Sequence, residues 1–108
     1  MSWSYSSSLN VSEIGTANKP ALIIKHSNRC SISTKAFARL NKSKSQLDEA
    51  FDVFLIDVVT DRPLSQSIAQ QLNVRHESPQ TIVIQNGKVV HSASHMSVNP
   101  SSLLEIVK

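Results

Sequence analysis

Apolar and polar positions alternate with two different periods along this chain, and the changes of period mark its elements. Ala21-Leu22-Ile23-Ile24 is an unbroken apolar run after Pro20 and before Lys25, which predicts a buried strand. Ile32, Ala36, Phe37 and Leu40 then recur at helical spacing, while Lys35, Arg39 and Lys42 fall on the other face. Residues 51–59 are rich in β-branched and aromatic side chains and predict a second buried strand. Thr60 or Asp61 can cap the helix that follows, with Pro63 in its first turn and Leu64, Ile68 and Leu72 as its apolar stripe. Residues 81–85 predict a third strand. Asn86-Gly87 is the strongest two-residue hairpin signal in the chain, and residues 88–93 form the returning strand. Asn99-Pro100 opens a last helix with Leu103, Leu104 and Val107 inward.

Upstream, Asn10 with Glu13 resembles a short capping box, with Val11 and Ile14 on one face and Gly15 closing the helix. Residues 1–8 are Ser-rich and read as loose, although Trp3 and Tyr5 can pack. The order is therefore α-β-α-β-α-β-β-α. Two strands joined by a helix should be parallel, and a two-residue turn makes the last pair antiparallel. The expected fold is α/β: a four-stranded mixed sheet with helices on both faces, the thioredoxin-like arrangement. With no repeat and no internal linker, residues 1–108 read as a single domain.

Composition narrows the class. A chain of 108 residues with 40% hydrophobic content can bury one core. Its single cysteine cannot form an internal disulfide, and a free thiol suits a reducing cytoplasm. The N-terminus has neither the basic start nor the apolar core of a signal peptide. No apolar run approaches the ~20 residues that would span a bilayer. The expected localisation is cytoplasmic, with no membrane partner. Net charge is +3, but Lys19, Lys25, Arg29, Lys35, Arg39, Lys42 and Lys44 occupy one stretch without an acid. A solvated helix face accounts for Lys42 and Lys44. For the rest, the sharper reading is a positive field that attracts an anionic small thiol. Nucleic acid is not an expected partner, because no aromatic residues interleave with these charges.

Cys30 lies within that stretch, between the first strand and the first long helix. Backbone N–H groups and the positive end of a helix dipole favour thiolate there, and thiolate is the reactive form. A buried structural thiol is the alternative, but the apolar stripe begins only at Ile32, after the cap. Arg29 would add to thiolate stabilisation. Ser33 follows Cys30 at the spacing of the second cysteine of a C-x-x-C pair, so Cys-Ser-Ile-Ser is a C-x-x-S variant. One thiolate can form a mixed disulfide but cannot resolve it internally. Ser33 is equally readable as an ordinary first-turn residue. Ser78-Pro79 precedes the third strand, where proline cannot donate a ladder hydrogen bond. His26, His76 and His95 could tune the thiol or bind a ligand, His91 reads as a surface residue, and Glu77 near the thiol would oppose Arg29. One cysteine and scattered histidines offer no metal-ligand spacing, so no metal and no bound cofactor is expected.

Several segments together resemble the monothiol bacilliredoxins of the thioredoxin superfamily. They are Lys25-His26-Ser27-Asn28-Arg29-Cys30-Ser31-Ile32-Ser33, Asp61-Arg62-Pro63-Leu64-Ser65, Val74-Arg75-His76-Glu77-Ser78-Pro79-Gln80, Asn86-Gly87 and Ser94-His95. The resemblance implies Cys30 as nucleophile and Pro79 as a cis-proline facing it. It also implies removal of bacillithiol, as co-substrate, from proteins that carry it as a mixed disulfide. His26, Ser31, His76, Glu77, Ser78 and Pro79 are then the expected substrate-binding residues. Ser31 stands where the family usually has proline, which loosens the helix start.

The expected function is a monothiol thiol–disulfide oxidoreductase acting on S-thiolated client proteins, with a second small thiol, a dithiol redoxin or a reductase freeing Cys30. A non-enzymatic adaptor that binds partners through the Cys30/Pro79 groove is a rival reading. A thiol-dependent arsenate-type reductase is a third, and oxyanion binding near Arg29 would reveal it.

Overall fold

The structure is a computed structural model; it describes residues 3, 5, 6, 9, 14, 15, 19–27 and 31–107, the Met96 side chain excepted. The elements are β1 (Ala21–His26), α1 (Ser31–Lys42), α2 (Lys44–Ala50), β2 (Asp52–Asp57), α3 (Arg62–Leu72), β3 (Gln80–Gln85), β4 (Lys88–Ser94), a 3-10 turn (His95–Ser97) and α4 (Pro100–Ile106). They build a four-stranded sheet in the order β2-β1-β3-β4. β1 runs parallel to β2, and β3 is antiparallel to both β1 and β4. The four strands, their directions and the helices α1, α3 and α4 are those the hydrophobic pattern predicts. The expected first helix falls largely on residues 10–13, which lie outside the described residues.

The central place of β1 explains its sequence. A strand with neighbours on both edges and helices on both faces must be apolar at successive positions. Leu22 and Ile24 enter a core with Ala36, Leu40, Leu47, Phe51, Leu55, Val83, Val98 and Leu103. Ala21 and Ile23 point to the opposite side, with Ile56, Ile68, Ile82 and Ile84. Edge strand β4 alternates exposed and half-buried residues instead. Its hairpin turn is closed by Asn86 and Gly87, both at positive φ (54° and 76°), as the Asn-Gly signal requires.

Some expectations need correction. Ile32 does not begin the apolar stripe: it is 42% exposed, and the buried face of α1 is Ser33, Ala36 and Leu40. Val107 is 40% exposed, because α4 ends at Ile106 and only Leu103 on it is fully buried. The helical segment after Lys42 is not part of the predicted pattern; the chain turns at Ser43 and continues as α2. Neither Thr60 nor Asp61 caps α3 through its side chain. Instead Asp57 accepts hydrogen bonds from the backbone N–H groups of Val59 and Thr60 and from the Thr60 hydroxyl. Arg39 does not simply face solvent; its guanidinium donates to the Val98 carbonyl at 3.0 Å. His91 is half-buried rather than on the surface, and its Nε2 is shielded with no partner among the described residues. Asn99 does cap α4, accepting from Ser102 N–H at 2.9 Å.

The N-terminal segment is tied down at its aromatic residues. Trp3 Nε1 donates to Asp48 Oδ1 at 2.6 Å, and Tyr5 makes an isolated parallel bridge to Leu55 on the outer edge of β2. Gly15 is fixed against the sheet: its carbonyl accepts from Asn86 N–H at 2.6 Å, and its φ is +70°. A Cβ there would meet the Ile84 carbonyl carbon at 2.8 Å and Cγ2 at 2.9 Å. Gly15→Ala should therefore destabilise the fold by about 1–3 kcal/mol through strain and overpacking together. Urea unfolding measures it, and a midpoint equal to wild type would contradict the close approach.

Candidate active site

The loops after β1 and before β3 approach the same end of the sheet, because Lys25, the penultimate residue of β1, pairs with Gln80, the first residue of β3. Arg29 and Cys30, with Asn28, lie outside the described residues. The flanking residues are Ser27, which is buried, and Ser31, which is exposed and opens α1.

Successive residues at the end of β1 face opposite sides of the sheet, and each nucleates a polar cluster. His26 turns toward α1. Its Nδ1 lies 3.1 Å from Ser33 Oγ, and the same hydroxyl oxygen accepts the Ser27 N–H at 2.9 Å. The His26 ring stacks on Phe37, with centroids 4.6 Å apart, and Phe37 meets Trp3 edge-on at 6.0 Å. Burial lowers the basicity of His26, opposed by the charge of Asp57 and by Ser33. Ser33 is fully buried and ties the start of α1 to Ser27 and to His26 at the end of β1. It occupies the C-x-x-S position and also does the structural work of a first-turn residue.

Lys25 turns the other way, toward α3, and has no exposed surface. Its ammonium donates to the Ser65 carbonyl at 3.0 Å and lies 3.2 Å from His76 Nδ1. Ser65 Oγ is also 3.2 Å from that nitrogen. Burial pulls the Lys25 pKa down to about 8. His76 is less basic than an ordinary histidine through burial, then through the nearby cations Lys25 and Arg62, with Glu77 opposing. Beside it, Gln80 Nε2 donates to the Arg75 carbonyl at 2.8 Å.

The Ser78–Pro79 peptide bond is cis, and the Pro79 carbonyl accepts from His95 N–H at 3.0 Å. The Ser78 hydroxyl is shielded from solvent with no partner among the described residues. Glu77 is held below the usual carboxylate range chiefly by a hydrogen bond from the Ser94 side chain. His26 and His76 therefore do not meet: the sheet separates them. Glu77 belongs to the Pro79 loop, and His95, which opens the 3-10 turn after β4, meets that loop through its backbone N–H. Among the described residues, no group of three His, Asp or Glu is placed to hold a metal ion.

Two participants escape the sequence reading. Lys25 reads there as the end of a strand and one charge of a basic run, and Ser65 as a helix residue. The available signal was period: Lys25 shares a strand face with Ala21 and Ile23, where only a paired charge can be buried. The basic run itself does not form one field. Lys44 pairs with Asp48 at 2.6 Å, Lys19 donates to the Asp48 carbonyl at 2.8 Å, and Lys25 points inward.

A mixed sheet with this strand order, a cysteine before α1 and a proline before β3 define a thioredoxin-fold protein. Among solved structures, a candidate oxidoreductase with a thioredoxin fold is similar at 36% identity and a TM-score of 0.75, over 91% of this chain and 82% of that one. A protein named Trxlp from Edwardsiella tarda EIB202 shares the fold at 21% identity and a TM-score of 0.62, over 83% and 82% of the two chains. Fasciola hepatica thioredoxin does so at 17% identity and 0.59, over 82% and 78%. The profile of the family described as monothiol bacilliredoxin BrxC matches residues 6–103. The chain belongs to the monothiol bacilliredoxin family. Among the described residues, no helix is long and apolar enough to cross a membrane.

Proposed function

We propose that this protein is a cytoplasmic monothiol oxidoreductase that removes bacillithiol from S-thiolated proteins through Cys30. The observation that carries the reading is a lone cysteine directly before α1 in a chain of the monothiol bacilliredoxin family. In the first step the Cys30 thiolate attacks the bacillithiol sulfur of the mixed disulfide. A Cys30–bacillithiol disulfide forms, the client–bacillithiol bond breaks, and the client leaves as a thiolate that takes a proton from solvent. A second bacillithiol thiolate then attacks the adduct, giving bacillithiol disulfide and regenerating the Cys30 thiolate. A dithiol redoxin or reductase would perform the same release.

Arg29 and the N-terminus of α1 would stabilise the attacking thiolate. His26 and Ser31, on either side of Cys30 in the chain, and His76, Glu77, Ser78 and Pro79, in the loop before β3, would bind the incoming mixed disulfide. The backbone at Ser78 would hold an incoming chain added as a strand. The test is to expose purified protein to bacillithiol disulfide and follow intact mass. A single adduct should form and persist until free thiol is added; no adduct, or unaided release, would refute the monothiol mechanism.

A further inference from the structure

Lys25, Ser65 and His76 come from three separate segments, yet they converge on a single ring nitrogen. An ammonium has three donors and no acceptor, so His76 Nδ1 must be the acceptor in its 3.2 Å contact with Lys25. The ring proton is then on Nε2. The side that carries Nδ1 is anchored on two fully buried residues, whereas His76 itself is exposed, which leaves Nε2 to solvent. A neutral histidine ordinarily exchanges tautomers; this one is held in one form.

We propose that Lys25 is a positioning residue that fixes His76 as an outward Nε2–H donor, and that this N–H hydrogen-bonds an acceptor of the bound mixed disulfide. The acceptor would be a carbonyl or carboxylate oxygen on the bacillithiol or the client backbone; the inference takes this ligand from the proposed function. The loop geometry supports it: His76 lies three residues before Pro79, in the loop that enters β3 at the end of the sheet where β1 finishes, four residues ahead of Cys30 in the chain. Protonating His76 would require Nδ1 to give up Lys25 and would set two cations side by side. The charged groups acting on the ring are Lys25 from β1, Arg62 from α3 and Glu77 from its own loop; burial and the two cations outweigh Glu77. His76 thus stays a neutral donor over a wider pH range than a free imidazole.

The first half is tested on full-length 15N-labelled protein by long-range proton–nitrogen correlation at pH 7. His76 should be in the Nε2–H form in wild type and in Ser65→Ala, and should become a mixture in Lys25→Met. A wild-type Nδ1–H form, or a Lys25→Met spectrum like wild type, overturns the assignment. Should Lys25→Met fail to fold, Lys25→Gln, whose side-chain amide oxygen can accept from Nδ1–H, answers the same question: the Nδ1–H form should become populated, and a spectrum like wild type overturns the proposal.

The second half is tested by non-covalent binding of a peptide–bacillithiol mixed disulfide to Cys30→Ala protein, followed by chemical-shift titration. Adding His76→Phe should raise Kd by about 3- to 10-fold, the effect of one neutral hydrogen bond. Adding His76→Gln, which keeps an N–H, should recover most of that loss. Equal Kd values for His76 and His76→Phe overturn the donor role. If the peptide binds with this dependence on His76 but wild type never exchanges thiols, the oxidoreductase reading falls and the inference stands.

Discussion

Cys30→Ser is expected to reduce thiol exchange to the uncatalysed background, while Ser33→Ala should leave the first attack within about threefold of wild type. Forming a mixed disulfide needs one thiolate and nothing from Ser33 except a modest influence on that thiolate. The structure adds a cost that the motif alone does not suggest. Ser33 Oγ accepts the Ser27 N–H at 2.9 Å and pairs with His26 at 3.1 Å, all in buried surroundings. Removing it should lower stability by about 1–3 kcal/mol. Adduct formation, scored by mass spectrometry, and urea unfolding separate the two effects. A Cys30→Ser protein that still forms an adduct would exclude Cys30 as nucleophile. A Ser33→Ala protein unable to form one, although folded, would give Ser33 a chemical role. Ser33→Cys should release the adduct unaided by closing an internal disulfide with Cys30, if the new thiol reaches bridging geometry.

The stability of the wild type should rise relative to Lys25→Met as pH increases from 7 to 10.5. In the unfolded chain lysine loses its proton near the ordinary value of 10.5, whereas burial brings Lys25 down to about 8 in the folded protein. Below pH 8 both states hold the proton, and the fold carries the cost of a buried charge. Between about 8 and 10.5 the unfolded state binds more protons, so stability climbs with pH. The shift corresponds to about 3 kcal/mol across that window. Lys25→Met has no such term. Chemical denaturation of both proteins across the window measures the difference; a pH-independent difference would mean that Lys25 is not charged in a dry site at neutral pH.

Most of the architecture is legible in the sequence because it follows from local patterns. The apolar run before Lys25, the helical spacing through Leu40, the Asn86-Gly87 turn and the Asn99 cap each encode their element without help from distant residues. Ile32 and Val107 are misplaced by the same logic, since they sit at helix ends where a periodic pattern continues but the neighbouring layer does not. Cys30 as a candidate nucleophile is likewise visible as a residue type at a meaningful place in the element order, whereas the loop at Pro79 gains its expected role only from the family resemblance.

The sequence by itself therefore determined the four strands, the helices α1, α3 and α4 and their order, and it offered Cys30 as a candidate nucleophile, because these depend on spacing along one chain. Only the tertiary structure decided what Lys25 and His26 do. Two adjacent polar residues at the end of a strand look alike in sequence, but strand geometry sends one to each face of the sheet. His26 closes the turn at Ser33, and Lys25 reaches Ser65, 40 positions away, and His76, 51 positions away. A buried cation is tolerated only where such partners converge, and that convergence is a property of how α3 and the Pro79 loop pack on the sheet.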